Sequence, residues 1–386
     1  MAQTILILNE FGPNSAPVGE LAHQLSLYLD KQPNLSVKNR FFSKVYSPGG
    51  TQTRRILKLI EVVLRTPFSI LYHKVVALFQ KKIPVVLVIT TPPLIHWVAS
   101  LFGAVFGVKT IVWYQDAHPD LEINILTRKG FSKTARILGL LDQWILRLAH
   151  SFVVLDDSMR KRLHEKLSKN QTIIVSPPWI TYKPPGSPMR FPKNEAIKFI
   201  YAGNYGKTAD LKPLAKKLKE IEVKTIEKLE IVFIGMTKSQ YNEIRKLFLG
   251  SKIQIEFHPR LPSVDDLMHF MKNFDVAIVS LKEEYDGLAC PSKAFTYLSQ
   301  GLPILYIGPK DTLPDVLANK GWGWTLDDFF KNFPHSVISN IKSNKRDGFV
   351  YTDPSKESCE IIYNHIKDLQ PPGSLVHARD DFHPIQ

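Results

Sequence analysis

The chain has 386 residues, 44% hydrophobic and 22% charged, which is enough for two domains with a core each and too apolar for a disordered chain. Two cysteines, Cys290 and Cys359, exclude a disulfide framework and a cysteine zinc site and fit a reducing compartment. A formal net charge of +14 points to an anionic partner: nucleic acid, an anionic membrane or a phosphorylated substrate.

The opening MAQTILILNEFG has no basic leader region and no small-residue cleavage site, so it reads as a strand rather than a signal peptide. Strand Thr4–Asn9 is followed by a Gly/Pro loop and a helix from about Val18 to Leu29, then by strand Ser36–Phe42. A basic helix fills 53–83. It carries Arg54, Arg55, Lys58, Arg65, Lys74, Lys81 and Lys82 against Glu61, with Leu57, Ile60, Leu64, Phe68 and Leu71 between them. Such a helix can lie on an anionic bilayer, or it can be a domain helix with a solvated charged face. Val85 to Val108 has no Asp, Glu, Lys or Arg and is long enough to span a bilayer. Pro92 and Pro93 divide it, however, and a β-branched strand, a turn and a buried helix with Pro in its first turn are the expected outcome. Strand Lys109–Asp116, a helix around 134–148, strand Ser151–Asp156, a helix around 158–167 and strand 171–178 complete the first half.

The text then turns to proline, PPWITYKPPGSPMRFP, an interdomain linker placed at 179–195. Alternation restarts with strands at 197–203, 229–235, 252–257, 274–281, 303–308 and 321–326, separated by helices. The expected domains are 1–178 and 196–352, then a helix at 353–369 and a loosely held tail at 370–386. Strands alternating with helices predict α/β architecture, two doubly wound Rossmann-like domains facing a cleft, with ligands beyond the C-terminal strand ends.

The residues just after each strand are therefore the candidate site. Gly12 and Gly19 follow the first strand and allow a tight turn at a helix N-terminus, though no G-x-G-x-x-G is present. Gly203, Asn204 and Lys207 open the second domain as a loop of backbone amides and a lysine suited to a diphosphate. In CPSKAFTYLSQGLPIL, Pro291 suits a first helical turn and Ser292 offers a hydroxyl near free amides. Lys293 is electrostatically misplaced at a helix N-terminus unless an anion docks there. Asp116 and His118, in YQDAHPDLE, are a carboxylate and an imidazole that can bind sugar hydroxyls or move a proton. The spacing of Asp116, His118, Asp120 and Glu122 is not that of a helical metal pair, and no metal site is expected. Cys290 has no base supplied by a motif and reads as a packed thiol. No nucleic-acid motif is present, and the basic residues lie among aliphatics rather than stacking aromatics, which disfavours nucleic acid.

Taken in order, TTPPL, YQDAHPD, YAGNYGK and CPSKAFTYLSQGLPIL resemble the glycosyltransferases of the GT-B fold, family 4, and within it the sugar transferases of bacterial surface-polysaccharide synthesis. The likeness covers about residues 1–369. It implies transfer of a sugar from a nucleotide-diphosphate donor, a UDP-sugar favoured, to a lipid-linked or saccharide acceptor. It further implies retention of configuration, no cofactor and no metal, on the cytoplasmic face of the cell membrane. It places the donor phosphates on Gly203, Asn204, Lys207, Ser292 and Lys293, the reacting sugar near Asp116 and His118, and the final helix back across the first domain. One departure stands out. Many relatives have a ribose-holding glutamate where this chain has Thr296, and Leu288 stands where a second glutamate is usual. Threonine can hydrogen-bond without charge. This departure supports a second reading, a GT-B-like sugar-nucleotide or carbohydrate-binding protein with weak or no catalysis.

Overall fold

The computed structural model describes residues 2–13, 17–43, 52–168, 170–179, 197–206, 208–220, 229–251, 253–332 and 354–369. Lys207, the segment 180–196, the tail 370–386 and the side chains of Arg54, Arg55 and Lys58 lie outside the described residues.

The first half forms β1 (Gln3–Phe11), α1 (Pro17–Asp30), β2 (Leu35–Ser43), α2 (Gln52–Phe79), β3 (Ile83–Ile89), α3 (Ile95–Phe106) and β4 (Lys109–Trp113). It continues through α4 (Asp120–Arg128), α5 (Ser132–Leu146), β5 (Ser151–Val154), α6 (Asp157–His164) and β6 (Thr172–Val175). All its strand pairs are parallel, in the order β2-β1-β3-β4-β5-β6. The central strands β1, β3, β4 and β5 are apolar on both faces because helices cover both. Ile5, Ile7, Leu87, Ile111 and Val153 face Leu21, Leu25 and Leu29 of α1, whereas Leu6, Leu8, Val86, Val88 and Val112 face α2, α3 and α5.

The second half forms β7 (Ile197–Ala202), α7 (Lys212–Glu220), β8 (Leu229–Ile234), α8 (Lys238–Leu247), β9 (Gln254–His258), α9 (Val264–Met271) and β10 (Val276–Ser280). A short α10 (Lys293–Ser299), β11 (Ile304–Ile307), α11 (Leu313–Leu317), β12 (Gly323–Thr325) and α12 (Leu326–Asn332) follow. The second sheet, also parallel, runs β12-β11-β10-β7-β8-β9. Chain order reverses between β1 and β3 in the first sheet and between β7 and β10 in the second. These are the switch points at which such sheets open a crevice for a ligand.

α13 (Ser355–Asp368) returns to the first domain. Cys359, Ile362 and Ile366 recur at helical spacing and are buried against α1 and the first sheet. Full burial of each isoleucine is worth roughly 1.5–3 kcal/mol. Polar ties fix the register: Gln3 Nε2 donates to the Ile366 carbonyl at 3.0 Å, and Ser358 Oγ donates to the Pro177 carbonyl at 2.9 Å.

Three boundaries differ from the sequence reading. The basic helix 53–83 stops at Phe79, because Lys81 turns with positive φ and Ile83 already pairs with β1. Trp179, assigned to the linker, is buried in the first domain, stacked on Trp113 with its indole N–H on Gln24 at 2.9 Å. The apolar run 85–108 is β3, a turn and α3, but Pro92 and Pro93 stand in the turn, not in the first helical turn, and Leu94 at φ 68 leads into the helix.

Candidate functional site

The second domain's site grows from the end of β7. Gly203 takes φ +99, a conformation that a side-chain-bearing residue rarely adopts, and its N–H donates to the Ile234 carbonyl at 2.7 Å. A Cβ there would stand 3.2 Å from both Cε and Nζ of Lys293. The glycine therefore lets the lysine lie along the strand end. Lys293 Nζ sits 4.4 Å from the centre of the Tyr201 ring and donates to the Asn204 carbonyl at 3.4 Å. Tyr297, one turn on in α10, accepts the Ala202 N–H at 2.8 Å and so fixes α10 to β7.

Gly203, Asn204, Ser292 and Lys293 are thus drawn together, with Thr296 one helical turn beyond. Ser292 is exposed at the helix N-cap, but its hydroxyl makes no capping bond, and α10 begins at Lys293, two residues after Pro291. Burial around the ammonium group pushes the Lys293 pKa down to about 8. By area the side chain is partly buried, with protein around its ammonium group. Among the described residues no carboxylate pairs with it; its partners are a carbonyl and an aromatic face. A partly desolvated cation without a counter-charge is a site for an anion.

Facing it is the exit of β4. Thr90 Oγ1 donates to the Asp116 carbonyl at 2.9 Å and accepts the Gln115 N–H at 3.1 Å, which locks the ends of β3 and β4 together. Asp116 then pairs, in an antiparallel bridge, with Ala289 of the second domain, and the Ala117 N–H donates to the Leu288 carbonyl at 2.9 Å. This contact sets Asp116 four residues from Lys293 along the β10–α10 loop. Asp116 keeps exposed surface at this junction. Its pKa is raised, chiefly by desolvation, with Glu122 adding to the rise and His118 opposing it.

His118 Nδ1 lies 2.8 Å from Glu122 Oε1, one turn on in α4. Burial favours the neutral imidazole, but the Glu122 hydrogen bond and the charges of Glu122 and Asp116 outweigh it, so the His118 pKa is raised. Glu122 moves the opposite way for the same reason: burial raises its pKa, and the His118 bond and charge more than reverse the rise. Imidazolium and carboxylate stabilise each other.

The Gly12–Gly19 turn stands two strands along the same edge from β4. A Cβ on Gly19 would come within 2.3 Å of the Gly12 carbonyl oxygen, so α1 meets β1 more closely than any other residue permits. Gly12 and Gly19 lie at the end of β1 and the start of α1, apart from the lysine cluster of the second domain. Cys290 is partly buried and packed against the core, and burial, then Asp156 and Asp116, push its thiol pKa well above the ordinary value.

The sequence reading assigned no role to Tyr201 or Tyr297, which appear there only as strand and helix residues. It named Glu122 without seeing that α4 sets it one turn after His118; the spacing of four was the available signal. Glu284 pairs with Arg128, and its carbonyl accepts from Asn124 at 2.8 Å.

No family model matches the chain. It is 26% identical over 258 residues to the curated protein "Probable glycosyltransferase WbjE" of Pseudomonas aeruginosa, a match that covers 62% of this chain and 61% of that protein. The match thus spans about three fifths of that relative's length. Among solved structures, the lipopolysaccharide outer core galactosyltransferase WaaB superposes with a TM-score of 0.53 at 12% identity, covering 95% of this chain and 99% of that one. HepE of Anabaena, solved in complex with UDP, gives 0.52 at 11% identity, covering 95% and 100%. A Listeria monocytogenes protein described as a UDP-N-acetylglucosamine 2-epimerase gives 0.53 at 12% identity, covering 98% and 100%. Likeness at this identity is likeness of fold, and the fold hosts more than one reaction. Two parallel six-stranded sheets with facing switch points, matched over nearly the whole described chain, make this a GT-B fold.

Proposed function

We propose that the chain is a glycosyltransferase that moves a sugar from a nucleotide-diphosphate donor, a UDP-sugar favoured, to a lipid-linked or saccharide acceptor at the cytoplasmic membrane face. The observation that carries this reading is Lys293: a partly desolvated cation without a carboxylate, seated against Gly203 and Asn204 at the second sheet's switch point. WbjE, WaaB and the UDP complex of HepE support the class of reaction and of donor.

In this reading the diphosphate lies along Gly203, Asn204 and Ser292 with Lys293 against it. Negative charge grows on the leaving phosphate as the glycosidic bond breaks, and a fixed cation and backbone amides stabilise it without reorganising. Asp116 and His118 face the sugar from the first domain. The His118–Glu122 pair holds the ring in one orientation, with Nε2 free for a sugar hydroxyl. Retention of configuration and independence of metal belong to the proposal.

Thr296, where a ribose-holding glutamate is usual in the family this chain resembles, favours the second reading, a binding protein of the same fold. One experiment separates the two. The protein is screened by thermal shift against UDP-, GDP- and CMP-sugars, and the ligand that stabilises it is then assayed for nucleotide release with and without a lipid-linked acceptor. Acceptor-dependent release of UDP is the expected result. Stabilisation with no release under any condition would leave the binding reading.

A further inference from the structure

The buried side chains of α2, Val62, Thr66, Ser69, Ile70, His73 and Ala77, form the side that packs on the sheet and on α3. The opposite side is apolar and bare: Leu64 is 61% exposed, Phe68 73%, Leu78 63% and Phe79 86%. A second bare ridge runs along α5, where Ile137 is 67% exposed, Leu140 60% and Trp144 55%. α3 lies between the two helices. Lys74 Nζ donates to the Phe106 carbonyl at one flank, and the Trp97 indole N–H donates to Asp142 at 2.8 Å at the other. Of the 20 exposed large hydrophobic residues described, 15 lie on α2, on α3 or along α5 from Phe131 on, so this is one surface and not scatter.

We infer that the α2–α3–α5 face seats the chain on an anionic lipid bilayer, with α2 and α5 lying in the headgroup plane. Charge complementarity chooses the occupant. Lys81, Lys129, Lys133, Arg136 and Arg147 rim the face and are exposed, while Glu61 is held by Arg65 at 2.6 Å and Asp142 is buried. A two-fold pairing of copies would set this positive rim against itself; an anionic surface complements it. Although Leu59–Phe79 is long and apolar enough to cross a membrane, His73 lies within 3.1 Å of the Thr4 carbonyl and the buried side packs on the sheet, so α2 lies on the bilayer rather than through it.

The seating also orients the site. With 28 residues α2 is about 42 Å long, against roughly 23 Å for β3. It follows β2 and so begins at the sheet's C-terminal edge, where the site lies. The described positions before Val62 are not buried, so this end of the helix overhangs the edge. The cleft's rim is thereby held at the lipid surface, and the acceptor that reaches it is lipid-anchored. That last clause rests on the proposed transfer; the seating does not.

The test is co-sedimentation of the full chain with phosphatidylcholine vesicles, with and without phosphatidylglycerol, alongside UDP titration of the same samples. Wild type binds the anionic vesicles and is released by about 0.5 M salt, where screening is strong. Leu140→Ser/Trp144→Ser and Lys133→Glu/Arg136→Glu each reduce vesicle affinity by about tenfold or more while leaving UDP affinity unchanged. Wild-type-like vesicle binding by both variants, or none by wild type, overturns the inference. So does a dimer in solution that Leu140→Ser/Trp144→Ser splits, because the face would then belong to a second copy. Loss of UDP binding in wild type with vesicle binding intact overturns the proposed function and not the seating.

Discussion

Lys293 is held at a pKa of about 8, below its ordinary range, because protein surrounds it and no carboxylate answers it. Its charge is present below pH 8 and lost above. An anion bound there restores the preference for the charged form, so binding above that pH takes up a proton. UDP affinity is therefore predicted to be level between pH 7 and 7.5 and to fall above 8, approaching about tenfold per pH unit, as measured by titration calorimetry. The His118–Glu122 pair carries a second prediction. Glu122 raises the imidazole's pKa, so Glu122→Gln removes the opposition to burial and shifts the His118 titration to lower pH by NMR. An unmoved titration would mean that the 2.8 Å contact is not kept in solution.

Strand–helix alternation showed where the strands lie because the central strands are short apolar runs set between helical segments. The elements that were not legible are those whose reason lies elsewhere in the chain. The sequence reading placed no helix at α4, which draws its support from α5 and from the Glu284 carbonyl of the second domain. Tyr201 looked like any strand aromatic, and only the fold places it under Lys293. Gly19 read as a turn glycine, while its structural demand is close approach: its backbone meets the Gly12 carbonyl. Gly19→Ala must push α1 off β1 and is predicted to lower stability by about 1–3 kcal/mol in urea unfolding. An unchanged midpoint would show that the turn yields freely.

Across the whole molecule, the two domains meet at contacts that no single segment announces. The Asp116–Ala289 bridge and the Arg128–Glu284 pair bring the β4 exit and α4 to the β10–α10 loop, and the Leu313 N–H on Asp156 at 3.4 Å ties the β5 exit to α11. An exposed pair such as Arg128–Glu284 contributes only about 0–1 kcal/mol. The apposition rests more on the shared apolar core, which runs from Met159 and Leu163 of α6 to Tyr285 and Leu288 of the loop. That core holds the β4 exit, with Asp116 and His118, beside the β10–α10 loop that leads to Lys293.

The site's identity comes down to whether Lys293 meets a diphosphate. Titration calorimetry of UDP into wild type and Lys293→Ala at pH 7 decides this. The account predicts binding by wild type and a loss of about 1–3 kcal/mol, roughly five- to 150-fold, in the variant. Equal affinity in the two proteins would contradict it.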